Sequence, residues 1–270
     1  MTYTPVLPLS GYAGWTLLNR TMTAQTAAFN KSPEIKRDED YFLAKIGSVK
    51  TADQLVNDRR LLKVALGAFG LDADIDNKAF IKKVLADGTV SSSALANRLS
   101  DKRYQQFSAA FGFDLGAPST QLSDFGTKMV AAYKSQQFES AVGDQDQDLR
   151  LALDAQRQIT ALAGKISSDT TKWFTVLGST PLTTVFQKAL GLPASIGSLN
   201  LDQQLGIYEA KLKDVFGSGG ISQFADSAKV DNLIRKFLVR SQADQLISQT
   251  SSTSIALSLL QQGGTVRRSR

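Results

Sequence analysis

The sequence predicts an all-α protein, a multi-helix bundle-like array made of two loosely repeated helical lobes. Three observations carry that prediction. Apolar residues recur at three- and four-residue spacing, and no run alternates β-branched residues as a strand does. A helix-then-glycine terminator occurs three times, in "GAFGLDADI" (67–75), "SAAFGFDLG" (108–116) and "QKALGLPAS" (187–195). The first and third copies also agree at Val64/Val185, Ala68/Ala189, Leu71/Leu192, Ala73/Ala194 and Ile75/Ile196, all offset by 121 residues.

The elements follow in order. In "GYAGWTLLNRTMTAQTAAFN", Trp15, Leu18, Met22 and Phe29 fall on one face of a helix of about five turns. "SPEIKRDEDYF" reads as a break and restart, with Asp38 or Asp40 capping the next helix. "KTADQLVNDRRLLKVALGAFG" reads as one helix with Thr51 at the N-cap and Gln54 completing a capping box. Its face is Leu55, Leu62, Leu66 and Phe69. "NKAFIKKVLADG" repeats the logic with Asp76 as cap, Phe80, Val84 and Leu85 inward, and Gly88 closing. "SSSALANRLSDKRYQQFSAAFG" holds one or two helices, and "STQLSDFGTKMVAAYKSQQFESAV" another. In "DQDQDLRLALDAQRQITALAGKI" the aspartates gather at the helix start, where the dipole favours negative charge. "TTKWFTVLG", "TPLTTVFQKALG", "NLDQQLGIYEAKLKDVFG", "KVDNLIRKFLVRSQADQLI" and "SSTSIALSLLQQ" continue the helical pattern. The resulting division is a helix and linker over 1–37, lobes over 38–164 and 165–262, and a disordered basic tail over 263–270.

Gly70, Gly112 and Gly191 are expected as helix C-cap glycines. A glycine followed by an apolar residue lets the chain turn left-handed and fold that side chain back onto the last turn. The alternative for "LDADID" is a calcium loop, which needs Gly at position six and Glu at position twelve. Counted from Asp72, those positions hold Asn77 and Lys83. The stretch therefore reads as a chain reversal.

Composition narrows the chemistry. The chain of 270 residues has no cysteine and no histidine, which removes thiolate chemistry, disulfides, the commonest general base and the commonest metal ligand. A hydrolase would have to rest on carboxylates, and would need a deep pocket with converging Asp and Lys side chains. The net charge of +6 includes Arg267, Arg268 and Arg270 of the tail, leaving no basic stripe of the kind a nucleic-acid binder uses. No apolar run approaches a membrane span. The N-terminus lacks an early basic region and is broken by Pro5 and Pro8, unlike a cleavable signal. "FGSGG" (216–220) lacks the Gly-Lys-Ser/Thr of a phosphate loop and reads as a flexible linker. In "DKRYQQF", Tyr104 and Phe107 are expected to turn inward, and Trp15 and Trp173 to be core or interface anchors. No catalytic, cofactor-binding or metal-ligating residue emerges.

The chain ends remain. Trp15, Leu18, Met22 and Phe29 near the start, and Ile255, Leu257, Leu259 and Leu260 near the finish, need a partner surface. They pack on the body or form a surface for self-association or partner binding.

"LPLSGYAGWTLLNRT", "SPEIKRDEDYF", "KTADQLVNDRRLLKVALGAFGLD", "KAFIKKVLADG" and "ANRLSDKRY" together resemble an uncharacterised bacterial family of all-helical proteins found in flagellar gene clusters. The resemblance is dense over roughly the first 115 residues and carries no catalytic residue across. It implies a non-enzymatic flagellum-associated structural or interaction protein acting in assembly or export. The alternative is a cytoplasmic export chaperone or regulator that binds a partner helix. Expected partners are flagellar components or a second copy, with no nucleic acid, metal, cofactor or membrane insertion. The expected location is the cytoplasm, or the flagellum by export without a cleavable signal.

Overall fold

Ser32 and Pro33 explain the first departure from the sequence reading. Proline is tolerated in the first helical turn because its missing N–H would have no intrahelical partner there. The chain therefore re-enters a helix at Pro33, and the charged run "EIKRDED" lies inside it. Asp38 and Asp40 are mid-helix, not caps, and the boundary placed at 37/38 cuts a continuous helix.

The computed structural model describes residues 3–265, with side chains described as far as residue 248. Among the described residues there are thirteen α-helices and no strand. They are α1 (Gly11–Asn30), α2 (Pro33–Lys45), α3 (Ala52–Asn57), α4 (Arg59–Gly67), α5 (Lys78–Asp87), α6 (Leu95–Arg98) and α7 (Lys102–Phe111). Next come α8 (Phe125–Gly143), α9 (Gln147–Ala163), α10 (Asp169–Leu177), α11 (Thr180–Leu190), α12 (Leu201–Phe216) and α13 (Ser227–Thr265).

Side-chain caps place many of the starts. Thr51 accepts from the Gln54 N–H, and Gln54 in turn accepts from the Lys50 N–H at 2.7 Å. Asp58 accepts from the N–H groups of Arg60 and Leu61, and so splits the single helix expected from residue 51 into α3 and α4. Asp101, Asp146, Ser168 and Asn200 cap α7, α9, α10 and α12 in the same manner. Asp76 does not cap α5. Asn77 holds that position, and Asp76 pairs with Arg59.

The three terminators close with two hydrogen-bond patterns. Gly70 has φ +66°, with Gly70 N–H donating to Gly67 O at 3.3 Å and Leu71 N–H to Leu66 O at 3.0 Å. Gly191 has φ +67° and the same pair of bonds, to Lys188 O at 3.0 Å and Gln187 O at 2.9 Å. Both are Schellman turns. Gly112 is left-handed too, but makes the simpler single bond, to Ser108 O at 3.0 Å. After each Schellman turn comes a 3₁₀ turn, Asp72–Asp74 or Ala194–Ser198, and then α5 or α12. Gly70→Val is expected to cost about 1–2 kcal/mol through the left-handed conformation alone. Gly191→Val is expected to cost more, because the Arg240 guanidinium, which donates to Lys188 O and Ala189 O, occupies the space of an added Cβ. Urea midpoints of the two variants check the order.

Two aromatic clusters anchor the fold. One joins Phe69, from the turn after α4, to Phe107 and Phe111 of α7 and Phe125 of α8. The other joins Trp173, Phe186, Tyr208 and Phe224 from the second half. They do not separate at residue 164. Helix α9 packs on α8 and also on α11 and α13, so one apolar core runs from Trp15 to Leu238. The expected two lobes are thus one packed body with α9 as its spine. Helix α13 is continuous through Thr265, where two helices were expected, and α1 lies against it. The tail expected over 263–270 begins inside α13, and residues 266–270 lie outside the described residues.

Candidate functional site

Of the two alternatives for the N-terminal helix, packing on the body holds for three of its four apolar residues. Trp15, Leu18 and Phe29 are buried and Met22 is half-buried. α1 spends most of its apolar face on α9 and α13, so Trp15, Leu18 and Phe29 are core. The side chains of Ile255, Leu257, Leu259 and Leu260 lie outside the described residues, while the backbone there continues α13.

A groove nonetheless opens on the outer side of α1. It is an open cavity of about 900 Å³ where α1 meets the α8–α9 hairpin. Asp146 sets the hairpin by capping α9 immediately after the turn. Met22, Val130, Phe138 and Leu153 form the apolar base. Ala131 and Ala161 stand exposed beside it, on α8 and α9. The walls are hydroxyls and amides, from Thr26, Asn30, Thr127, Ser135, Gln156 and Thr160.

The charges at the groove are already paired. Lys134 meets Glu39 at 2.8 Å. Arg157 forks onto Glu139, with Nε to Oε1 at 2.7 Å and Nη2 to Oε2 at 3.0 Å, and Nη2 also reaches Asp154 at 2.6 Å. Glu139 is 5% exposed. Burial pushes its carboxyl above the usual range, and the Arg157 hydrogen bonds hold it back. The groove therefore offers apolar surface and neutral hydrogen-bonding groups, with no unspent charge at its ion pairs.

A second cavity, about 640 Å³, lies between α2 and α4. Here Asp38, buried in the middle of α2, accepts from Lys63 Nζ at 2.8 Å and from the Tyr133 hydroxyl at 3.0 Å. Lys63 also donates to Glu34 at 2.9 Å. This is a convergence of Asp and Lys in a pocket. Its chemistry is self-cancelling, however. Two carboxylates hold Lys63 protonated against the opposing effect of burial. Burial first, and the Asp38 carboxylate next, push the Tyr133 hydroxyl well above its ordinary range, so it serves as a donor and not as a base. The group ties α2, α4 and α8 together.

Tyr133→Phe removes one donor from a buried carboxylate and is expected to cost about 2 kcal/mol. Both Tyr133 and Tyr104, the latter raised to about 12 chiefly by burial, keep their protons in the folded state longer than in the unfolded chain. Folding stability should therefore fall as pH rises above about 10, where unfolded tyrosine ionises. Tyr133→Phe should flatten that alkaline slope, as urea titrations at stepped pH would show.

Other expected sites resolve into local structure. Asp72 accepts from Gln137, Asp74 from Tyr104 and Asn77, and Asp76 from Arg59, so the three aspartates of "LDADID" diverge to separate partners. Phe107 is buried, Tyr104 is half-buried, and Arg103 bonds Asp101 and the Gly70 carbonyl. The glycine segment at 216–220 is tied down and is not a free linker. Trp173 Nε1 donates to Gly219 O at 2.8 Å, and Asp169 accepts from the Ser222 N–H at 2.8 Å. No helix among the described residues is long and apolar enough to cross a membrane.

The sequence pattern of a family described as "Protein of unknown function (DUF1217)" matches residues 68–230, more than half of the chain. An X-ray crystal structure of a protein from Agrobacterium tumefaciens is similar, with 27% sequence identity and a TM-score of 0.71. The match covers 89% of this chain and 98% of that one. No curated protein matches the chain.

Proposed function

We propose that this chain, which belongs to the family described as "Protein of unknown function (DUF1217)", is a non-enzymatic protein-binding component of flagellar assembly or export. The groove of α1, α8 and α9 carries the binding part of this reading. Its apolar base between three helices, walled by neutral polar groups, suits an amphipathic helix laid into it. The flagellar setting comes from the resemblance of the N-terminal segments to proteins of flagellar gene clusters. A cytoplasmic chaperone or regulator would use the same groove, so location separates the two.

The test is fractionation of a tagged strain with and without a working flagellar export apparatus. Cytoplasm, medium and purified hook–basal bodies are probed. Export-dependent signal in the medium or basal body supports an exported structural role. Signal confined to the cytoplasm in both strains supports the helper. In the export-competent strain Ala131→Glu with Ala161→Glu, which places two charges beside the apolar base, should abolish motility if the groove is the working surface. Unchanged motility would reject the groove as that surface.

A further inference from the structure

We propose that the cavity between α2 and α4 binds a small phosphate monoester, with two arginine forks on the phosphate and the apolar body of the ligand against Leu66 and Ile75. The inference does not rest on the α1–α8–α9 groove and gives the chain a second, separate site.

The ion pairs of this cavity do not use all of its cations. Arg37, Arg59, Arg60 and Lys63 line it. Lys63 is spent on Glu34 and Asp38, and Arg59 on Asp76. Asp72, the remaining carboxylate of the lining, is exposed and accepts from the Gln137 amide at 2.8 Å. Arg37 and Arg60 are left. Arg37 forms no ion pair among the described residues, and its Nε donates to Pro33 O at 3.0 Å, which leaves both Nη groups open. Arg60 Nε stands 3.7 Å from Asp38, too far for a hydrogen bond. The Asp38 carboxylate is already offset by Lys63 at 2.8 Å and by the Tyr133 hydroxyl at 3.0 Å, so it sets no unopposed negative charge against a ligand.

Both open guanidiniums are steered into place. The Arg60 guanidinium lies over the Tyr41 ring, 4.9 Å from its centroid. That ring is fixed in turn, because the Tyr41 hydroxyl donates at 2.7 Å to Asp58, the residue that caps α4. Arg37 precedes Tyr41 by one turn on α2, so the two arginines meet the same face of that helix. Each is held by one contact and keeps its fork of N–H donors unspent.

Two forks select the ligand class. The two oxygens of a carboxylate fill one guanidinium, whereas the three terminal oxygens of a phosphate monoester accept from both. The volume of about 640 Å³ is that of a small-molecule site and exceeds what a bare phosphate needs. Buried Leu66 and half-buried Ile75 supply an apolar wall for the rest of the molecule.

Titration of the nitrogen-15-labelled full chain with phenyl phosphate, followed by NMR, tests this. Saturable shifts are expected at the amides of α2 and α4. Arg37→Gln and Arg60→Gln should each weaken binding about tenfold or more. Arg59→Gln removes a cation already spent on Asp76 and should change it by less than about threefold. Arg60→Lys keeps the charge without the fork and should recover only part of the affinity. All three arginines are exposed, so the variants keep the fold, which circular dichroism verifies. Benzoate and inorganic phosphate should both bind more weakly than phenyl phosphate, the first for want of a third oxygen and the second for want of an apolar body. No saturable shift at millimolar phenyl phosphate, unchanged binding in Arg37→Gln or Arg60→Gln, or equal losses in all three glutamine variants would overturn the proposal. Benzoate binding as tightly would overturn the assignment to phosphate, inorganic phosphate binding as tightly would overturn the apolar subsite, and full recovery in Arg60→Lys would overturn the fork. Ala131→Glu with Ala161→Glu should bind phenyl phosphate as the wild type does, so this site and the groove fail separately.

Discussion

Trp173→Ala is expected to lower folding stability by about 4 kcal/mol, within the range for emptying a large aromatic site. Trp173 is fully buried. Its ring meets Phe186 at 5.3 Å and Tyr208 at 5.7 Å, so truncation leaves a cavity lined by large rings from α11 and α12 that cannot close over it. It also removes the donor to Gly219 O, which fastens the glycine segment between α12 and the following turn. Trp173→Phe separates the two effects. It keeps most of the apolar volume and loses the hydrogen bond, and should cost about 1–2 kcal/mol. Urea unfolding of both variants gives the comparison. Because one core runs through α9, the transition should remain single when followed by far-ultraviolet dichroism and by tryptophan fluorescence. Separate transitions would mean that the two aromatic clusters unfold independently, and that α9 does not couple them.

Much of this architecture is legible in the sequence because it is local. The limits of α1, the Thr51 cap and the left-handed glycines depend on residues within one turn of each other, so spacing and residue type suffice. Misreadings arise where a local cue has two meanings. "SPEIKRDEDYF" resembles a loop by charge, yet Pro33 suits a first helical turn, and Asp38 is drawn inside by Lys63 and Tyr133, the latter 95 positions away. Asp58 reads as ordinary helix surface within the run from residue 51, yet its side chain caps α4. The groove was not legible at all. Met22, Val130 and Leu153 belong to three helices, and each reads alone as an ordinary apolar position. Only packing decides that the space between them stays open. The apolar residues of α1 left two alternatives open for the same reason. An amphipathic face announces that it will be covered, and does not say by what.

Arg157→Met should cost about 3 kcal/mol at neutral pH, the lower end for breaking a buried pair, since Arg157 itself is partly exposed and water can enter. The loss comes less from the missing contact than from Glu139, left ionised at the base of a helix hairpin with no cation on it. In the wild type the pair is ionised, because two near-parallel N–H···O bonds of 2.7 and 3.0 Å favour both charged forms. Burial already raises the Glu139 carboxyl above its ordinary value, and losing Arg157 removes the main influence holding it down. A carboxyl with a folded pKa above its unfolded one penalises the fold most at pH above the folded value. The penalty shrinks as pH falls through the folded value, and is gone below about 4.3, where the unfolded carboxyl is protonated too. The deficit of Arg157→Met relative to wild type should therefore be largest near neutrality and narrow on acidification. Glu139→Leu in the Arg157→Met background removes the stranded charge, and should recover most of the stability at neutral pH. A deficit independent of pH, or no recovery in the double variant, would show that Arg157 acts through packing of its stem and not through charge.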